Sequence, residues 1–357
     1  MSDALKIMVV DDTITYRQIL SKVVESIEGT ELLASASSGR TALMKMEANQ
    51  PDLVFLDVMM PEMDGIETLK HIKAKYPKVE VVMVSGADKE AANITLQSLE
   101  AGALDFVAKP QASSMQEGLE QLTQALAPVI EAVHARRRKA RPTPAGAPRP
   151  APAPVATPAS SEARKPRHYD AVVLGISTGG PNALHELFST LKGNLTVPVL
   201  IVQHMPPMFT ASLAERLDSV TSMKVKEAEA GESILAGNVY IAPGGKHMGV
   251  YREGGQLKVQ INDLPPVNHC KPAVDVLFES VAKLGDMNPL AVVMTGMGRD
   301  GAKGVVQLRQ QGAYCLIQDE ASSVVWGMPG AVAEVKAADE ILPLSRLGAR
   351  MLELTQP

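Results

Sequence analysis

Tyr169–Leu191, YDAVVLGISTGGPNALHELFSTL, decides the reading of the C-terminal half of this 357-residue chain. An apolar run, a glycine-rich turn and an amphipathic stretch follow one another, which predicts a buried strand, a tight turn and a helix. Gly175, Ser177 and Gly179 satisfy G-x-S-x-G, in which the glycines permit a sharp strand-to-helix turn that exposes the serine oxygen at the sheet edge. The N–H of Thr178, next after the serine at a helix N-terminus, is placed to stabilise a developing oxyanion. Phosphate or dinucleotide binding at the same turn is the competing reading. G-x-G-x-x-G is not matched, because Ser177 stands where the second glycine belongs.

A serine nucleophile needs a base, and seven histidines are present. His204 follows the apolar run VPVLIV in QHMPP, at a strand carboxyl end where a doubly wound sheet brings it beside Ser177. His185 begins HELFS, where a zinc hydrolase needs HExxH, and position 189 is serine. His247 in APGGKHMG and His269 stay open as alternative bases or substrate contacts. The orienting acid is expected from PLAVVMTGMGRDGAKGVVQL, another strand, glycine-rich loop and helix, which carries Asp300. An aspartate there holds an imidazole in its productive tautomer; capping the following helix is its plain structural role. The order Ser177, His204, Asp300 differs from the serine, acid, histidine order of α/β-hydrolases, so a convergent triad is expected.

Upstream of this half the composition breaks. Arg136–Arg167 reads RRRKARPTPAGAPRPAPAPVATPASSEARKPR, with eight prolines and little to build a core. Proline fixes its own φ and extends the residue before it, so a semi-stiff tether is expected, with linker assigned to 129–168. The segment carries nine Lys or Arg against Glu162, about +8, so the rest of a chain of net charge -5 sums to about -13. The basic charge therefore belongs to the tether, and nucleic acid is not expected as a partner.

Ahead of the tether, residues 1–128 alternate the apolar runs KIMVV, DLVFL, VEVVMV and DFVA with helical patterns, which means a parallel doubly wound sheet. Function in such sheets gathers beyond the strand carboxyl ends. The residues there are Asp11 and Asp12, Asp57, Ser85, and Lys109 before Pro110. Adjacent carboxylates need a shared cation, and oxygen ligands suit Mg²⁺. Asp57, on the middle strand, is the natural phosphoryl acceptor, with the metal and Lys109 neutralising the transferred oxygens.

These residues resemble the response-regulator receiver domain over about the first 128 positions, a flavodoxin-like fold. The resemblance implies that Asp11, Asp12 and Asp57 hold Mg²⁺, that a chemotaxis histidine kinase phosphorylates Asp57, and that Ser85, Lys109 and Phe106 read the phosphoryl group. GISTGG, QHMP, YIAPGGKHM, KPAVDVLFESVA, TGMGRDG and WGMPGAV are similar to the catalytic domain of the chemotaxis protein-glutamate methylesterases, over Tyr169 to about Leu354. That implies a Rossmann-like three-layer α/β domain over 169–357. Ser177 becomes the nucleophile, His204 the base and Asp300 its orienter, with Thr178 and the Met297 backbone binding the oxyanion. The implied substrate is a γ-glutamyl methyl ester on methyl-accepting chemoreceptors, hydrolysed to glutamate and methanol without a cofactor, with receptor glutamines deamidated as well.

Two other classes remain open: a phosphorylation-dependent binding protein with a silent hydrolase-like domain, and a DNA-binding response regulator. No basic helix-turn-helix tail supports the second. With 45% hydrophobic residues, no apolar run near the ~18 residues of a bilayer span, no basic leader in MSDALKIMVVDD and two unpaired-looking cysteines, a cytoplasmic protein without membrane insertion is expected.

Overall fold

The computed structural model describes residues 4–86, 88–110, 112, 114–140 and 169–356. The N-terminal unit runs β1 (Leu5–Val10), α1 (Ile14–Ser26), β2 (Thr30–Ala36), α2 (Gly39–Ala48), β3 (Leu53–Asp57), α3 (Gly65–Lys75), β4 (Glu80–Ser85), α4 (Lys89–Glu100), β5 (Asp105–Ala108) and α5 (Met115–Ala140). Its strands form one parallel sheet in the order β2-β1-β3-β4-β5. Side chains alternate across a strand, so each apolar run serves two layers. Met8, Val10, Val54 and Leu56 face α2, α3 and α4, while Ile7, Val9, Leu53 and Phe55 face α1 and α5.

Residues 129–140, which the sequence assigns to the tether, continue helix α5 instead. Val129, Ile130 and Val133 are buried against α1 and the sheet, and apolar residues at helical spacing extend the helix beyond Pro128. The proline-rich part of the expected tether, 141–168, lies outside the described residues.

The C-terminal unit runs β6 (Ala171–Ile176), α6 (Gly180–Ser189), β7 (Val199–Gln203), α7 (Phe209–Val220), β8 (Lys224–Glu227), β9 (Asn238–Ile241), β10 (His247–Glu253), β11 (Gln256–Asn262), α8 (Val274–Leu284), β12 (Pro289–Val293), α9 (Ala302–Gln310), β13 (Tyr314–Gln318), α10 (Met328–Glu334), β14 (Glu340–Leu342) and α11 (Leu344–Thr355). A parallel sheet of order β14-β13-β12-β6-β7-β9-β8 is flanked by helices on both faces. Val172, Leu174 and Ile176 pack with α6, α7 and α11; Ala171 and Val173 pack with α8, α9 and α10. The antiparallel ribbon β10–β11 buries Met248, Val250 and Val259 against α8. Strand order reverses between β12 and β6, and such a switch point opens a crevice at the strand carboxyl ends. Ser177 follows β6 there.

Candidate active site and acidic pocket

The first cluster lies at the carboxyl ends of β1, β3 and β5. Carboxylate oxygens of Asp11, Asp12 and Asp57 lie within 4.8 Å of one another. Lys109 Nζ stands 2.9 Å from Asp11 Oδ2 and 2.8 Å from Asp57 Oδ2. Burial pushes the Asp57 carboxyl up to about 6, with Lys109 pulling it back and Asp11 adding to the rise. Burial also works against the Lys109 ammonium, but its two carboxylate partners outweigh it and hold its pKa above the ordinary lysine value. Three carboxylates, Asp11 and Asp57 buried and Asp12 exposed, fit a small hard cation that keeps some of its waters. Ser85, at the end of β4, accepts from Thr95 Oγ1 at 2.6 Å, and its own proton has Gly86 O at 3.2 Å and Ala91 O at 3.4 Å within reach, so its hydroxyl lies against α4.

The second cluster is built on the ends of β6, β7 and β12. Ser177 N donates to Thr295 O at 2.9 Å, and Gly180 N donates to Ser177 O at 2.7 Å, which folds the chain sharply into α6. Gly179 turns at φ +73°, a conformation that favours glycine. Gly296 lets the β12 loop approach: a Cβ there would stand 2.8 Å from that of Ser177. The same approach sets Met297 one residue away, on a loop fastened by Gly327 N and Met328 N donating to Gly296 O at 3.0 and 2.8 Å. Thr178 follows Ser177 in the turn, its carbonyl accepting from Thr295 Oγ1 at 2.9 Å.

His204 N donates to Ile176 O at 3.1 Å, so serine and histidine leave neighbouring strands side by side. The buried Gln203 ties the two departures together, its Nε2 donating to Ser177 O at 3.0 Å and His204 O at 3.2 Å. His204 Nε2 stands 2.8 Å from Asp300 Oδ2, and Nδ1 stands 3.4 Å from the Cys270 Sγ. Asp300 is 2% exposed. Besides His204, its Oδ2 accepts from Val274 N at 2.6 Å; its Oδ1 accepts from Asn268 Nδ2 at 2.8 Å, Asp275 N at 3.0 Å and Gly301 N at 3.1 Å. Burial opposes its charge, yet His204 and these donors hold the carboxyl below its ordinary value. Burial likewise disfavours the imidazolium, but Asp300 and then Cys270 raise His204 to about 9. His204, Cys270 and Asp300 offer donor atoms within 4.8 Å of one another, but the lone pairs of Asp300 are already spent on N–H groups, which argues against a metal there.

Of the other histidines, His247 is fully buried, its Nε2 3.1 Å from Pro265 O and its Nδ1 accepting from Ala273 N at 3.2 Å, a structural role. His269 occupies a tight turn at φ +62°. Gln203, Asn268, Cys270 and Asp275 are given no role at the site by the sequence reading; of these only Gln203, beside His204 at a strand end, carried a positional signal.

The two units meet directly above the serine turn. Asp105 Oδ2 of β5 accepts from Gly179 N at 3.1 Å, and Ala103 O accepts from Asn182 Nδ2 at 3.3 Å. The Phe106 ring stacks on Phe209 at 4.6 Å between centroids and 13° between planes. Arg216 of α7 pairs with Glu100 and donates to Leu96 O of α4. Burial pushes the Asp105 carboxyl up to about 7, with the N–H groups of Phe106 and Gly179 pulling it back.

Comparison with known proteins matches both units. The family model described as CheB methylesterase matches residues 172–351, and that described as the response regulator receiver domain matches residues 7–122. A protein-glutamate methylesterase/protein-glutamine glutaminase of Trichodesmium erythraeum is 41% identical over 354 residues, covering 97% of this chain and 98% of the relative. One of the same name from Nocardioides sp. is 42% identical, covering 98% of this chain and 94% of the relative. The crystal structure of the Thermotoga maritima CheB methylesterase catalytic domain, 40% identical, superposes with a TM-score of 0.51, covering 53% of this chain and all of that one. Receiver-type and methylesterase-type units in one polypeptide, with near full-length similarity at about two residues in five, place the chain in the CheB methylesterase family.

Proposed function

We propose that this enzyme hydrolyses glutamate γ-methyl esters on chemoreceptors, and deamidates receptor glutamines, under control of phosphorylation at Asp57. The observation that carries the chemistry is the His204–Asp300 pair beside the Ser177 turn. With Nε2–H given to Asp300, Nδ1 is the basic nitrogen of the neutral ring. Ser177 Oγ attacks the ester carbonyl while Nδ1, where the Cys270 thiol now stands, takes its proton. The tetrahedral oxyanion is met by the N–H groups of Thr178 and Met297. His204 returns the proton to the departing methoxide, methanol leaves, and water activated by the same nitrogen cleaves the acyl-serine to glutamate. A glutamine amide shares this intermediate and releases ammonia instead.

Asp57 accepts the phosphoryl group from a histidine kinase. Asp11, Asp12 and Asp57 would hold Mg²⁺, which supplies neutralising charge to the transferred oxygens. A phosphoryl group on Asp57 draws Lys109 from its two carboxylates and Ser85 from α4. Phe106, next to Asp105 on the docked face, then leaves Phe209, and Asp105 releases the Gly179 amide. No helix among the described residues is long and apolar enough to cross a membrane, and the two cysteines are free; both agree with action in the cytoplasm on the receptor's cytoplasmic helices. Ser177→Ala tests the chemistry: methanol release from methylated receptor should fall at least about a thousandfold, as for a lost nucleophile. Unchanged release would refute the serine mechanism.

A further inference from the structure

Between β11 and α8 the chain makes a two-residue turn. Val267 N donates to Cys270 O at 3.1 Å and Cys270 N to Val267 O at 2.8 Å, with Asn268 at φ +52° and His269 at φ +62°. Non-glycine residues seldom hold positive φ, asparagine more readily than most, and two in succession persist only where the surroundings fix them. What this turn presents is the Asn268 amide. Its Nδ2 stands 2.8 Å from Asp300 Oδ1 and 2.9 Å from Asp275 Oδ2, so one amide nitrogen serves two carboxylates. Both acids are buried, at 2% and 4% exposure. Asp275 Oδ1 is occupied in turn by Gly304 N at 2.7 Å.

Resting on the triad reading above, we infer that Asn268 is a positioning residue for the hydrolysis: its amide locks the plane of the Asp300 carboxylate so that Oδ2 faces His204. The remaining donors to Asp300 are backbone N–H groups of Val274, Asp275 and Gly301, which come with the fold. Asn268 is, among the described residues, the side chain other than His204 that donates to this carboxylate. It also separates Asp300 from Asp275, whose carboxyl is raised by burial and further by the Asp300 charge. Without the amide, Oδ1 loses its one side-chain partner, the two acids face each other, and backbone N–H groups alone hold the carboxylate towards Nε2 against that repulsion. The reacting atoms never touch Asn268, so its loss should appear in turnover and leave substrate binding alone.

The test uses the full chain with saturating phosphodonor and Mg²⁺, methylated receptor in vesicles as substrate, and Ser177→Ala as reference. Asn268→Gly removes the amide while suiting the positive φ, so the turn is relieved of strain and the fold is kept. Its kcat for methanol release should fall about ten- to a hundredfold, the effect of a hydrogen bond to a charged group, with KM within about twofold of wild type and the protein still fully folded at the assay temperature. Asn268→Asp keeps size and turn preference but substitutes an acceptor for the donor, and should lose at least as much. Wild-type kcat in Asn268→Gly overturns the inference, as does a change confined to KM or a loss of activity matched by a loss of folded protein at the assay temperature. If Ser177→Ala is inactive while Asn268→Gly is normal, only the role of Asn268 falls; if Ser177→Ala retains activity, the triad reading falls first.

Discussion

Replacing Asp105 by asparagine asks what the receiver-side carboxyl does at the serine turn. Its pKa rises from 3.8 to about 7 because it is buried at 7% exposure between the two units. A rise of that size is worth roughly 4 kcal/mol, at about 1.4 kcal/mol per pKa unit. The sign follows from proton binding. Between pH 3.8 and about 7 the docked form holds a proton that the solvated carboxyl has lost, so docking weakens as pH rises through that window and levels off above it. The substituted amide would offer Gly179 N the same acceptor without the charge. The Asp105→Asn variant should therefore dock more tightly, and its basal methanol release at pH 7 to 8 should be lower than wild type. Even a third of the full effect is about tenfold. The assay compares unphosphorylated full-length chains from pH 5 to 8, each rate divided by that chain's rate with saturating phosphodonor, which cancels the titration of His204. The wild-type to variant ratio should climb from pH 5 to about 7 and then flatten. A flat ratio across the range would refute this account, and a higher basal rate in the variant would mean that the ionised carboxylate is what holds the units together.

Phe106→Ala removes a stacked pair worth about 1 kcal/mol beyond its buried area, so basal methanol release should rise at least about fivefold with the phosphodonor-saturated rate unchanged. Asp300→Asn, which reverses the donor pattern at His204, should lower kcat by about three to four powers of ten, as at other triads. For wild type under saturating phosphodonor, kcat/KM should rise with pH towards about 9, because His204 is protonated below that value. The stability supplied by the His204–Asp300 pair is complete below the unfolded value of 6.5 and is lost as pH rises through about 9, which urea unfolding at pH 6 and 10 would detect.

Much of this was legible because chemistry sits at strand ends. Asp11, Asp57, Lys109, Ser177 and His204 each follow an apolar run, and the parallel topology alone brings them together. Asp300 was legible through its glycine-rich loop, and so was its pairing with His204, but its other four donors were not. Asn268 and Cys270 lie in a turn after the ribbon β11, and only tertiary folding carries that turn to the β12 loop. Asp105 opens β5 instead of closing it, and its partner Gly179 is remote in sequence, so no local pattern announces the contact. The extent of α5 was missed because arginines and a proline mask apolar spacing that continues to Val133.

The direct test of phosphorylation-controlled esterase action is methanol release from methylated receptor by the full chain, before and after adding a small-molecule phosphodonor with Mg²⁺. Release should rise about 5- to 150-fold, the span of ordinary coupling free energies; an identical rate in the two conditions would contradict the account.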